Sequence, residues 1–186
     1  MELLIILLVV GAVLGFLVIL YNRLVALRQV SNQAWADVEV QLKQRHDVIP
    51  NLVATVQGYA THERETLDAV IRARNTAVNA HGPAEAGAAE GALAGALRQV
   101  FALAEAYPDL KANQNFLSLQ GELADLENKI AAARRFFNNA VQEYNTATQQ
   151  VPMVFVAGSL GFQQRPFFEL GAEERAAVQA PPQVKF

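Results

Sequence analysis

Arg45, His46 and Asp47 stand in a row within "QAWADVEVQLKQRHDVIPNL", and Pro50 and Asn51 follow closely. A cation, an imidazole and a carboxylate together could form an ion pair, a reactive centre or part of a metal site. His62 sits in "THERE" beside Glu63 and Glu65, sixteen residues beyond His46 and too far for one site on one helix. A carboxylate-bridged di-metal bundle needs Glu-x-x-His pairs from two helices, and no such pair occurs. A third cluster lies in "ENKIAAARRFFNNAVQEYN", where Arg134, Arg135, Asn138, Asn139, Glu143 and Asn145 flank an apolar seam. Such stripes are usually solvated faces. A phosphate patch would need more arginines or a glycine-rich helix start. "GSLG" lacks the lysine and spacing of a phosphate loop, and no Gly-x-Ser-x-Gly elbow is present. Nucleophile, base and oxyanion donors cannot be assembled. No catalytic, cofactor-binding or metal-binding residue is therefore predicted, and no enzyme is expected; a metal-dependent hydrolase is the minor alternative. The chain has no cysteine, which excludes disulfides and thiolate metal sites. A net charge of −3 gives no global field to attract nucleic acid.

These side chains must be positioned by helices. From Leu3 to Leu20 every residue is apolar or glycine. At roughly 1.5 Å per residue the run covers about 27 Å, close to the hydrocarbon core of a bilayer. Glu2 precedes it and "YNRLVAL" follows, without the basic start and small-residue cleavage site of a secretory signal. A retained membrane anchor over 1–22 is predicted, in contact with membrane lipid. Arg23 and Arg28, with Lys43 and Arg45 beyond, place the bulk of the chain on the cytoplasmic side.

Beyond the anchor, Trp35, Val38, Leu42, Arg45, Ile49, Leu52, Val56, Tyr59, Glu63, Thr66 and Val70 step by threes and fours. That seam predicts one helix over 23–76, with Gly82 and Pro83 as the punctuation that follows it. A second helix is expected over 84–106, with Leu93, Leu97, Val100 and Ala104 as its seam. Its alanine- and glycine-rich start either admits a close neighbour or is loose. A third is expected over 110–149, on the seam from Phe116 through Phe137 to Ala147. Strand-like alternation is absent. The fold class is thus all-α: a transmembrane helix continuing into an elongated, up-and-down antiparallel bundle over 23–151. The tail, 152–186, is too apolar for a free linker; Phe155, Phe162, Phe167 and Phe168 are expected to pin it to the bundle before an extended end.

Arg45 and Glu63 both occupy seam positions, about 27 Å apart along one helix, so they cannot pair with each other. Either both lie at the bundle edge with packed stems and wet heads, or each has a partner on another helix or subunit and specifies register. Pro50 cannot donate to the His46 carbonyl, so a bend is expected there, with the freed carbonyl satisfied by Asn51 or water.

"YNRLVALRQVSNQAWADVEVQLKQRHDVIPNLVATVQGYATHERETLDAVIRAR" resembles the start of the LemA family. "ENKIAAARRFFNNAVQEYNTATQQVP", "GFQQRPFFEL" and "APPQVKF" resemble its later motifs and ending, in order and at the right spacing. The region from His81 to Asn113 fits loosely. The resemblance implies a single anchor, a bundle of about four helices, the fourth a short one in the tail after Pro152, and residence in the bacterial inner membrane. It implies no catalytic residues, because the family has no established activity; members are membrane proteins sometimes associated with membrane stress or proteolysis. Its signature positions are Trp35, Asp37, Gln41, Arg45, Asp47, Pro50, Asn51, His62, Glu63, Arg74, Arg134, Asn138, Tyr144 and Asn145, with structural or partner-directed roles. The expected function is a non-enzymatic membrane scaffold that forms homo-oligomers or holds a membrane-protein partner. An adaptor for a membrane protease or stress system is the alternative, with Met153 to Phe162 as its docking strip.

Overall fold

The structure, a computed structural model, describes residues 1–169. In chain order it contains α1 (Glu2–Gln57), α2 (Arg64–Val78), α3 (Gly82–Ala104), the single turn α4 (Pro108–Lys111), α5 (Gln114–Gln149) and a 3-10 turn (Met153–Phe155). No strand occurs among the described residues, as the all-α expectation required. The rest of the expected tail, including "APPQVKF", lies outside the described residues.

One boundary departs clearly from the sequence expectation. The helix expected over 23–76 is two helices, broken between Gln57 and Arg64. Gly58 opens the break, and Tyr59, Thr61 and His62 are weak helix formers. The seam holds through Val56, which is fully buried, and fails at Tyr59, which is 43% exposed. Tertiary bonds fix the turn. Asn113 donates to the Tyr59 hydroxyl at 2.8 Å, and the Tyr107 hydroxyl donates to Glu63 at 3.2 Å. Heptad periodicity does not report such a reversal, because α2 resumes the same spacing beyond it. Smaller differences have capping causes. Pro83 and Pro108 start helices as first-turn residues, so α3 begins at Gly82 with a φ of +76°. α5 begins at Gln114 because the Asn113 side chain accepts the Phe116 N–H at 3.0 Å.

The chain divides into two compact units. One comprises Asp37–Arg134 together with the described residues from Phe167 onward. Here α2 folds back along α1, since Arg74 of α2 reaches the backbone of His46, each about ten residues from the break. α3 and α5 complete an antiparallel set. Contacts of Glu90 and Glu127 with Arg45 fix their middles, and those of Tyr107 and Asn113 with the α1–α2 turn fix their ends. Ile49, Leu52, Val56, Val70, Leu93, Val100 and Leu110 are fully buried in the shared core, with Phe116 at 2%. Burying a large side chain of this kind stabilises by about 1.5–3 kcal/mol. The small residues that open α3 admit backbone: a Cβ on Gly87 would collide with the Glu169 carbonyl. The close neighbour there is thus the tail, beside the fully buried Phe168.

The other unit comprises Met1–Ala36 and Arg135–Pro166. Trp35 meets Phe137 with ring centroids 5.2 Å apart and ring planes tilted by 55°. Leu24, Tyr144, Ala147, Met153, Ala157 and Phe162 form a second core. Phe162 is 3% exposed and pins the tail as expected, but Phe155 does not: it is 77% exposed. Phe167 is 38% exposed and also fails to pin. The apolar first part of α1 is exposed along its length, and the helix is long and apolar enough to cross a membrane.

Candidate functional site

Arg45 is 3% exposed, and His46 beside it is buried as well, while Asp47 faces outward. The α1 seam turns Arg45 inward, so its guanidinium must find anions. It finds two. One terminal nitrogen donates to Glu127 on α5 at 2.7 Å, and the other donates to Glu90 on α3. His46 brings its Nε2 within 2.7 Å of the second Glu90 oxygen. Glu90 is fully buried, while the Glu127 side chain is 49% exposed. Burial alone would push the Glu90 carboxyl up. The His46 hydrogen bond and the Arg45 charge outweigh it and hold the group below its ordinary value. The edge alternative for Arg45, with its head in water, is therefore corrected: it is a core residue with partners on two other helices of its own chain.

Pro50 acts on the same cluster. It removes the N–H that would bond the His46 carbonyl, and Arg74 Nε donates to that carbonyl at 2.8 Å. Asn51 is exposed and is not the partner; that expectation is corrected. Asp47 points outward and pairs with Lys43 at 2.7 Å, one turn back. The Lys43 hydrogen bond holds its carboxyl below the ordinary range. Gln41 and Arg45 each keep one buried polar atom, Oε1 and Nε, without a hydrogen-bond partner. A cavity of about 330 Å³ adjoins the cluster, walled by Leu97, Phe101 and Leu123 and touching Arg45 and Glu127. Those two charges already bind each other.

Other expected positions fall elsewhere. Asp37 and His62 are exposed, and Glu63 is half-buried against Tyr107. Among the described residues no three histidine, aspartate or glutamate side chains converge to hold a metal. Arg134 and Asn138 are half-buried. Tyr144 and Asn145 belong to a tail clasp. Asn145 accepts the Arg165 N–H at 2.8 Å and donates to the Arg165 carbonyl at 2.9 Å, and the Arg165 guanidinium lies 5.9 Å from the Tyr144 ring centroid. Arg165 also donates to Ser31, Asn32 and the Arg28 carbonyl.

Sequence reasoning missed Glu90, Glu127 and Arg165. Glu90 had a signal: it lies three residues before Leu93, on the extended α3 seam. Glu127 flanks a seam position, and Arg165 follows no periodic pattern.

Among the described residues these features define an all-helical protein with one membrane-length apolar helix and a buried charge cluster that closes within the chain. Residues 34–186 match the LemA family, and the chain belongs to it. It is similar to the magnetosome protein MamQ of Magnetospirillum gryphiswaldense, 24% identical over 174 residues, covering 80% of this chain and 64% of that protein. It is also similar to magnetosome protein MamQ 2 of Paramagnetospirillum magneticum, at 22% over 186 residues, covering 86% and 68%. Protein LemA of Metamycoplasma hominis is 28% identical over 145 residues, covering 76% and 65%. The chain thus spans about two thirds of the length of each of these relatives.

Proposed function

We propose that this protein is a non-enzymatic helical scaffold, anchored by α1 in the bacterial inner membrane with its bundle on the cytoplasmic side, that self-associates through its outer apolar faces. The observation that carries this reading is the closure of the Arg45 cluster. The residues best suited to chemistry bind one another: both terminal nitrogens of Arg45, the ring of His46 and both oxygens of Glu90 are engaged across α1, α3 and α5. Such an arrangement fixes helix register. Polar seam residues were one ground for expecting assembly, and Arg45 no longer supplies it because its partners are intramolecular. Exposed apolar side chains supply it instead, notably Phe136 at 55%. Arg23 and Arg28 at the end of the apolar run support the cytoplasmic placement.

Light scattering on the full chain in mild detergent tests the reading. A protein mass that is a multiple of 20.3 kDa supports self-association. The mass of one chain at every concentration refutes it. Photo-crosslinking from position 136 in native membranes checks the partner: self-crosslinks support the scaffold, and a single foreign protein favours an adaptor.

A further inference from the structure

We infer that the loop between α5 and Arg165 is a second, shallow contact with the bilayer, laying Val151, Val154, Phe155 and Leu160 into the lipid interface where α1 leaves the membrane. This rests on the membrane-anchored reading above and adds a surface to it. No Asp, Glu, Lys or Arg occurs between Glu143 and Arg165. The inner side of the loop is held at a defined height on α1. Met153, Ala157 and Phe162 pack on Leu24, with Leu20 and Val25 against the same core. Phe162 meets the Tyr21 ring edge-on at 5.3 Å.

The outer side has no protein cover. Val151 is 76% exposed, Val154 47%, Phe155 77% and Leu160 47%, comparable with Leu3 and Phe16 in the span itself. Headgroup regions add roughly 5–7 Å to each side of the hydrocarbon core. Leu20 to Leu24 rises about 6 Å, so the loop sits within that layer when the apolar run fills the core.

Apolar side chains reach the hydrocarbon edge at lower cost when the backbone that carries them is bonded internally. The N–H groups of Val154, Phe155, Val156, Ala157, Leu160 and Phe162 all bond to carbonyls within residues 150–157. Cations complete the arrangement. Arg28 lies over the Phe162 ring at 5.0 Å, and Arg23 is exposed one residue before Leu24, both within reach of lipid phosphates. Lipid is the occupant because the patch carries no charge and continues the surface that the anchored reading places in the bilayer.

The test uses the full chain with its single tryptophan exchanged, Trp35→Phe, in vesicles of phosphatidylcholine and phosphatidylglycerol with no other protein. Tryptophan is placed singly by Phe155→Trp, Leu160→Trp or Phe16→Trp, and quenching by lipids brominated high or low on the acyl chain is read. Phe155 and Leu160 are exposed, so these exchanges leave the core intact. The loop indoles should lose most of their emission to bromines near the headgroup and less to bromines near the chain end. Phe16→Trp should be quenched by the deep bromines. Quenching of Phe16→Trp without the loop indoles overturns the loop contact and leaves the anchor. A loop emission that is unquenched but blue-shifted shows cover by a second copy, and also overturns it. An unquenched Phe16→Trp removes the anchor and the inference together.

Discussion

Glu90 accepts Arg45 on one carboxylate oxygen and faces His46 with the other, while itself fully buried. Removing its charge leaves a buried guanidinium with only the half-exposed Glu127. Breaking a buried pair costs about 3–5 kcal/mol, so Glu90→Gln is expected to lower stability by about 3 kcal/mol, the low end, because Glu127 remains. Glu127→Gln, at the cluster's exposed rim, should cost about 0–1 kcal/mol. Denaturant unfolding of both variants checks the ranking. The pH dependence carries a definite sign. The folded Glu90 carboxyl titrates below its ordinary value of 4.5, so its stabilisation is complete above that pH and is lost as pH falls through the folded value. The stability gap between the native protein and Glu90→Gln should therefore narrow as pH falls below 4.5. A gap that widened in acid would refute the assignment.

Pro50 and Arg74 make one device from two helices. The proline denies the His46 carbonyl its helical donor, and α2 supplies a guanidinium in its place. An orphaned buried acceptor costs about 1–3 kcal/mol. Arg74→Ala should cost that much in the native background and clearly less in Pro50→Ala, where the restored N–H can reach the carbonyl; a double-mutant cycle measures the coupling. At Gly87, a valine would strike the Glu169 carbonyl. Gly87→Val should lift the tail from α3 and speed chymotrypsin cleavage at the otherwise buried Phe168. How legible these elements were in the sequence follows from what sets them. Seams from Val38 to Val56 and from Phe116 to Ala147 are dictated by burial every three to four residues, so α1 and α5 read out well. The Gln57–Arg64 break did not, because tertiary bonds from Tyr107 and Asn113 hold it. Arg45 was legible as a charge on an apolar stripe, but its partners lie 45 and 82 residues away and no local pattern encodes such pairing.

For the whole molecule, the proposed contact between copies must rest on side chains other than those that hold each chain together. Arg45 and Glu90 are satisfied inside one chain, so their charges set helix register and contribute nothing to an interface between chains. Replacing a buried ion pair by apolar side chains of similar volume is often neutral or stabilising. The double variant Arg45→Met, Glu90→Leu should therefore stay folded and keep the assembly mass of the native protein. Phe136 has the opposite profile: 55% exposed, it contributes little to the core of its own chain. If copies meet through it, Phe136→Asp places a charge where an apolar contact is desolvated, which costs several kcal/mol when the charge has no partner. That variant should keep its helical circular dichroism and melting temperature while its mass in mild detergent falls toward 20.3 kDa. Loss of assembly in the apolar core variant with retention in Phe136→Asp would reverse the assignment and return the interface to the Arg45 cluster.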